Sequence, residues 1–308
     1  MFQEGEVKYC PTTREVFFKH YTHNYNIIKE KLPLLENLDL DAIHDIRVIS
    51  RKNRALFREF KDCIPPKVMR KCCNEMKSVT RLLGQRRELD VIRQLIISLK
   101  DKNPDIIDDA FFSEFLVFLD KKREKEKTNC YVAKKILDNW INTNVPGKQI
   151  QFSNNFCIYL HAKKRIFLRI KKIKDAFKII RDKKNPLDKK NHQFRIMLKK
   201  TRYIMEIYYN IYEKSINKWL TSFKEVQTQL GEWNDYRILL TEIEGYTDKK
   251  EFFKNNINIE RIQNYINELI VQKLEQSKKI MEEYLTNNFI NKTKMEIKEV
   301  CKMYKCMY

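Results

Sequence analysis

Apolar residues recur at helical spacing along almost the whole chain, and prolines interrupt the pattern. Val16, Phe17, Tyr21, Tyr25 and Ile28 share one face of a first helix, which Thr12 or Thr13 can cap and which ends near Lys31, just before Pro33. A second helix follows, capped by Asp39 or Asp41. At about 100° per residue, Ile43, Ile46, Ile49, Leu56, Phe57 and Phe60 fall within an arc of roughly 140°, wide enough to face a core. His44, Arg47, Arg51, Arg54 and Arg58 occupy an opposite arc of roughly 80°. One side of this helix packs, and the other presents a row of cations about 20 Å long.

Pro65-Pro66 break the chain and start a third helix carrying Lys77, Arg81, Arg86 and Arg87. After Asn103-Pro104 the pattern predicts one long fourth helix over 105–140, with a charged middle, KKREKEK, and an end at Val145-Pro146-Gly147. The same order then repeats. Residues 151–180 read as a very basic helix that includes Lys163, Lys164 and Arg169. Beyond Asn185-Pro186, Asp188 can cap a helix bearing His192, Arg195, Lys199 and Arg202, with Lys200 alongside. A helix over 215–243 carries Lys224, a last long helix spans 259–287, and the lysine-rich tail reads as its frayed continuation.

The repetition is in register. His192, Arg195, Lys199 and Arg202 keep the offsets 0, 3, 7 and 10 of His44, Arg47, Arg51 and Arg54. His44 and His192 are 148 apart, whereas Lys77 and Lys224, and Leu83-Gly84 and Leu230-Gly231, are 147 apart; the slip falls in the Pro65-Pro66 connection. A lone basic face is usually just solvated, but a solvated face has no reason to repeat a histidine and three cations in phase. The pattern therefore predicts an all-α protein: two antiparallel four-helix bundles, residues 1–147 and 148–308, related by a pseudo-twofold axis and produced by internal duplication.

Charge narrows the class of partner. The chain of 308 residues has a net charge of +21, which points to a polyanion: nucleic acid, an acidic membrane surface or a phosphate polymer. No apolar run is long enough to span a bilayer, so membrane insertion is not expected. The opening MFQEGEVKYC lacks a signal-peptide pattern, and the eight cysteines form no CxxC, which favours reduced thiols and a cytoplasmic location. His20 and His23 lack an evident third metal ligand, and Trp140, Trp219 and Trp233 read as core residues.

The segments IHDIRVISRKNR with LLGQRRELDVI, and NHQFRIMLKKTRY with QLGEWNDYRIL, resemble the conserved histidine α-helical domain, or CHAD, family. In each pair a histidine-led basic helix is followed some 40 residues later by an LG-x-x-[RN]-[DE] element, expected as a turn. The resemblance covers about residues 10 to 290. It implies binding of inorganic polyphosphate in a basic groove between the halves, without a cofactor, in the cytoplasm and in association with polyphosphate granules. Two departures stand out: Glu88 where the family has aspartate, and Lys199 where the first half has Arg51. Lysine keeps a phosphate contact but not a bidentate one.

The residue types suit that ligand. Polyphosphate carries a charge on every unit and no base to read, so a binder needs a track of cations on a rigid support. Helices supply one cation per turn, about every 5 Å. Arginine grips phosphate oxygens in pairs, and lysine acts as a point charge. Histidines placed in a first helical turn can donate a ring N–H beside free backbone amides. The candidate contacts are His44, Arg47, Arg51, Arg54, Arg58, Lys77, Arg81, Arg87 and Arg169 in the first set, and His192, Arg195, Lys199, Lys200, Arg202 and Lys224 in the second. Two alternatives stay open. Nucleic acid would suit the charge, but the basic faces carry few stacking aromatics and no known nucleic-acid motif. Hydrolysis of polyphosphate or triphosphate is suggested by Glu4, Glu6 and Lys8, which fit the ExExK string of tunnel enzymes found fused to CHAD relatives. Metal-assisted phosphoryl transfer needs convergent carboxylates, however, and the two basic faces offer none, so no catalytic residue is expected.

Overall fold

A computed structural model of the chain describes residues 10–146, 150–182, 185–187, 189–250 and 257–304. Among these residues the protein is all-α, with ten α-helices and no named strand. Helix α1 (Thr13–Lys31) begins at Thr12, whose side chain and that of Glu15 form a reciprocal capping box. A 3-10 turn (Pro33–Asn37) leads into α2 (Leu40–Glu59), where the Asp39 carboxylate accepts the Ala42 N–H at 2.7 Å. Helix α3 (Pro66–Lys102) starts with Pro66 in its first turn, a position that needs no N–H, and ends at Asn103.

The expected fourth helix is broken in two. Helices α4 (Asp109–Lys125) and α5 (Lys127–Thr143) meet at Glu126 and both pack along α3. The break is held from outside. Arg86 of α3 donates to the Arg123 carbonyl at 2.8 Å, beside the Glu126 N–H that reaches the same oxygen at 3.1 Å. Arg123 in turn reaches the buried Asp90 at 2.8 Å and Asp120 at 2.7 Å.

The second half runs α6 (Ile158–Arg181), α7 (Lys189–Ile207), α8 (Glu213–Thr247), α9 (Ile257–Tyr284) and α10 (Asn287–Met303). Helix α6 starts later than the periodicity predicts, because the stretch before it runs extended beside residues 11–13 and forms one antiparallel bridge between Thr12 and Cys157. The C-terminal segment is not a frayed continuation of α9. The side chain of Thr286 accepts the Phe289 N–H and starts α10, which buries Ile290, Thr293 and Ile297 against α6 and α8. Among the described residues each half thus has five helices, the fourth element of each being in two pieces. The LG-x-x-[RN]-[DE] segments are not turns; Gly84 lies inside α3 and Gly231 inside α8. The expected Asp188 cap and the Glu4, Glu6 and Lys8 string lie outside the described residues.

The core is continuous across both halves. Phe17 packs edge-on to Phe57, and Tyr21 to Trp140, in the first half. Trp219 packs on Phe223 and Phe289 in the second and donates to Thr293 at 3.0 Å. All three tryptophans are buried, as their core assignment requires. The halves meet where α2 packs on α7 and α3 on α8. Glu59, at the end of α2, is fully buried there. It accepts the Tyr208 hydroxyl proton at 2.9 Å and lies 3.9 Å from Arg165 and 3.7 Å from Arg169 of α6.

Candidate functional site

The crossing of α2 and α7 over α3 and α8 opens a groove of about 740 Å³. Helix α2 contributes His44, Arg47 and Arg51, and α7 contributes Lys189, His192, Arg195 and Lys199. Helix α3 adds Arg87 and Glu88, and α8 adds Asn234, Asp235 and Arg237. Both histidine-led faces therefore line one concavity. It carries seven Lys and Arg side chains against two carboxylates.

Packing explains how the cations are aimed. Ile43, Ile46 and Ile49 are buried on one side of α2, which fixes His44, Arg47 and Arg51 on the other. Phe194, Leu198 and Met205 do the same for α7. Arg47 is pinned further: its Nη1 donates to the Thr80 carbonyl of α3 at 2.9 Å. The guanidinium reaches that backbone because residue 84 has no side chain.

The groove holds its charges at an electrostatic cost. Burial, then Arg51, pushes Arg47 down to about 10, against the pull of Glu88. Burial also lowers Arg195, which Asp235 partly offsets. Lys199 is pushed down to about 7 by burial and then by Arg195 and Arg51. His192 is lowered by burial and by Arg195. The Nε atoms of Arg51, Arg54, Arg195 and Arg237 are buried without an acceptor among the described residues. Desolvated cations with unmet donors form a site in which an anion is the missing partner.

The two histidines differ. Nδ1 of His192 lies 3.3 Å from the Asn234 side-chain oxygen, and Nδ1 of His44 lies 3.2 Å from its neighbour Asp45. Where Nδ1 donates to these oxygens, Nε2 is a donor only in the charged ring. The first-turn placement holds for His192 only, since His44 is the fifth residue of α2 and sits in its second turn.

Other predicted contacts lie elsewhere. Arg54, Arg58, Arg169 and Lys200 form a second cation cluster; their mutual repulsion, after burial, lowers Lys200. Arg51 couples to both Arg54 and Lys199, so the cluster continues the groove. Arg169 is partly committed to Glu59, and Arg202 to Glu206 at 3.3 Å. Lys77, Arg81 and Lys224 are exposed on α3 and α8 and do not line the groove.

The basic faces themselves carry no groove carboxylate, as expected, but Glu88 and Asp235 from the neighbouring helices do. Both are raised, first by desolvation, while the nearby arginines pull them back down. Among the described residues no cluster of three or more His, Cys, Asp or Glu could hold a metal. Arg237 and Lys189 are further lining residues that the pattern of α2 and α7 did not reveal. Arg237 stands where α3 has Asp90. On α3, Arg86 and Asp90 form an (i, i+4) pair at 3.5 Å; on α8, Arg237 lies 4.9 Å over the ring of Trp233. A ring under the guanidinium leaves its charge available to the groove.

No curated protein sequence matches the chain. Its fold is similar to that of PptA from Streptomyces chartreusis, at 12% identity and TM-score 0.55, covering 95% of this chain and 99% of that one. It is likewise similar to the CHAD domain from the plant Ricinus communis, at 15% identity and TM-score 0.60, covering 96% and 95%. The model of the CHAD domain matches residues 26–244, the span that holds both histidine-led helices and the groove between them, and the chain belongs to the CHAD domain family.

Proposed function

We propose that this protein binds inorganic polyphosphate, without catalysis, along the groove and the cation cluster that continues it. The observation that carries this reading is the convergence of both histidine-led faces on one concavity whose buried arginine Nε atoms have no acceptor among the described residues. The ligand lies on α2 and α7, with residues 1–147 and 148–308 each supplying one wall. Arg47, Arg51, Arg195 and Lys199 grip the chain at the centre, His44 and His192 flank it, and Arg54, Arg58, Arg169 and Lys200 extend the track. Lys77, Arg81, Arg202 and Lys224 then act only as distant charges. Among the described residues no Phe, Tyr or Trp lines the groove as a platform for a base, which favours a phosphate polymer over RNA. A calorimetric titration with polyphosphate of defined length, with pyrophosphate and single-stranded RNA as controls, tests the proposal. Tighter binding of long polyphosphate than of RNA at equal phosphate concentration supports it; the reverse order overturns it, and release of orthophosphate during the titration refutes its non-catalytic part.

A further inference from the structure

We propose that Cys10 and Cys157 form a redox-modification site, a pair of thiols that closes into a disulfide through exchange with a small anionic disulfide such as glutathione disulfide. The inference is independent of the ligand in the groove. The two Sγ atoms are 2.9 Å apart although the residues are 147 positions apart in sequence. The contact is between two thiols, either of which could donate to the other.

The approach is built in by the backbone. Residues 11–13 and 155–158 are laced together around the bridge between Thr12 and Cys157. Thr13 N–H donates to the Phe156 carbonyl at 2.9 Å, and Ile158 N–H to the Pro11 carbonyl at 3.1 Å. The Asn155 side-chain oxygen accepts from the Thr13 hydroxyl and from the Arg14 N–H, both at 3.1 Å, and the Phe156 N–H donates back to the Thr13 hydroxyl at 3.0 Å. Five hydrogen bonds hold the thiols together before any oxidant arrives, so the second step of the exchange is intramolecular.

The oxidant has a way in. Cys157 lines an open cavity of about 800 Å³ that also presents Lys61 and Lys164, while Arg165 there is paired with Asp62. Those cations suit a disulfide bearing several carboxylates. The Cys157 thiolate attacks one sulfur of glutathione disulfide and expels one glutathione, which takes up the proton. The Cys10 thiolate then attacks the Cys157 sulfur and expels the second. Two protein thiols are oxidised to one disulfide, and one glutathione disulfide is reduced to two glutathiones. The bond ties the start of α1 to the start of α6 and shrinks the unfolded ensemble by closing a long loop.

The full chain is equilibrated in glutathione buffers of graded oxidised-to-reduced ratio, quenched in acid, alkylated and peptide-mapped without reduction. The expected product is a peptide linked through Cys10 and Cys157, present in the parent and in Cys301→Ala and absent from Cys10→Ala. Cys301 is the control because its thiol lies 2.9 Å from the Tyr212 hydroxyl and 3.7 Å from the Tyr159 carbonyl, close to the same seam. The thermal midpoint should rise on oxidation in the parent and stay unchanged in Cys10→Ala. Recovery of both thiols alkylated from the most oxidising buffer, arrest at the mixed disulfide with glutathione, or pairing of Cys157 with Cys301 would each overturn the proposal.

Discussion

A Cβ on Gly84 would stand 2.9 Å from Nη1 of Arg47. The glycine in the middle of α3 therefore clears room for one guanidinium, which uses it to reach the Thr80 carbonyl. Its counterpart on α8, Gly231, has nothing within 4 Å of the same added atom.

The pair gives a matched test. Alanine inside a helix is favoured over glycine by about 0.5–1 kcal/mol, so Gly231→Ala should stabilise the fold by that amount and leave polyphosphate affinity unchanged. Gly84→Ala gains the same helix propensity but evicts Arg47. It should weaken binding about tenfold, near 1.4 kcal/mol, with little net change in the urea midpoint. Equal affinities for the two variants would show that Arg47 does not need this seat.

Arg47→Ala combined with Arg195→Ala should weaken polyphosphate binding by a few orders of magnitude, since each charged hydrogen bond contributes about 1.5–3 kcal/mol. Lys67→Ala with Lys121→Ala removes the same net charge from exposed positions and should matter little. The slope of log affinity against log salt should flatten in the first double variant more than in the second. Isothermal titration at several salt concentrations measures both, and equal losses in the two variants would reduce the groove to undirected charge.

Lys199 and His192 set the pH dependence. In the free protein Lys199 sits near 7 instead of 10.5, so the fold carries a penalty for its charged form. Between about 7 and 10.5 the unfolded chain binds more protons, and stability should rise with pH across that window. Polyanion binding works in the opposite sense. A bound phosphate raises both groups, protons are taken up, and affinity should fall as pH rises through about 7. Lys199→Arg should flatten the limb above neutrality, and His192→Gln the limb below it. Calorimetry in buffers of different ionisation enthalpy counts the protons; no uptake near neutral pH would contradict the assignment of Lys199.

Glu59→Ala should destabilise the protein by about 3 kcal/mol, because it strips the buried carboxylate from Arg165, Arg169 and Tyr208. Urea unfolding reads this directly. Glu59→Gln keeps an acceptor for Tyr208 and should lose less.

Local chemistry made much of the fold legible. Thr12 and Asp39 mark helix starts by side chains that accept from their own backbone, and Pro66 and Asn103 stand at the two ends of α3. The break at Glu126 had no such signal. KKREKEK contains neither proline nor glycine, and its interruption rests on Arg86, which arrives from another helix. The late start of α6 is likewise decided by pairing with residues far away in sequence. At the site, the two basic faces could be read because each lies on one helix at a fixed period. Glu88, Asp235 and Arg237 could not, since only the packing of α3 and α8 beneath α2 and α7 brings them into the same space.

The different partners of Asp90 and Arg237 make the groove lopsided: one side buries an ion pair where the other offers a cation over a ring. An inorganic phosphate chain reads the same from either end, so it can lie in a lopsided groove in two equivalent senses and gains about 0.4 kcal/mol of orientational degeneracy. A nucleic-acid strand runs 5′ to 3′, and the same groove would hold it in one preferred direction. End-labelled RNA crosslinked to this surface should therefore show polarity, whereas polyphosphate labelled at one end should place its label at both ends of the track in equal amounts.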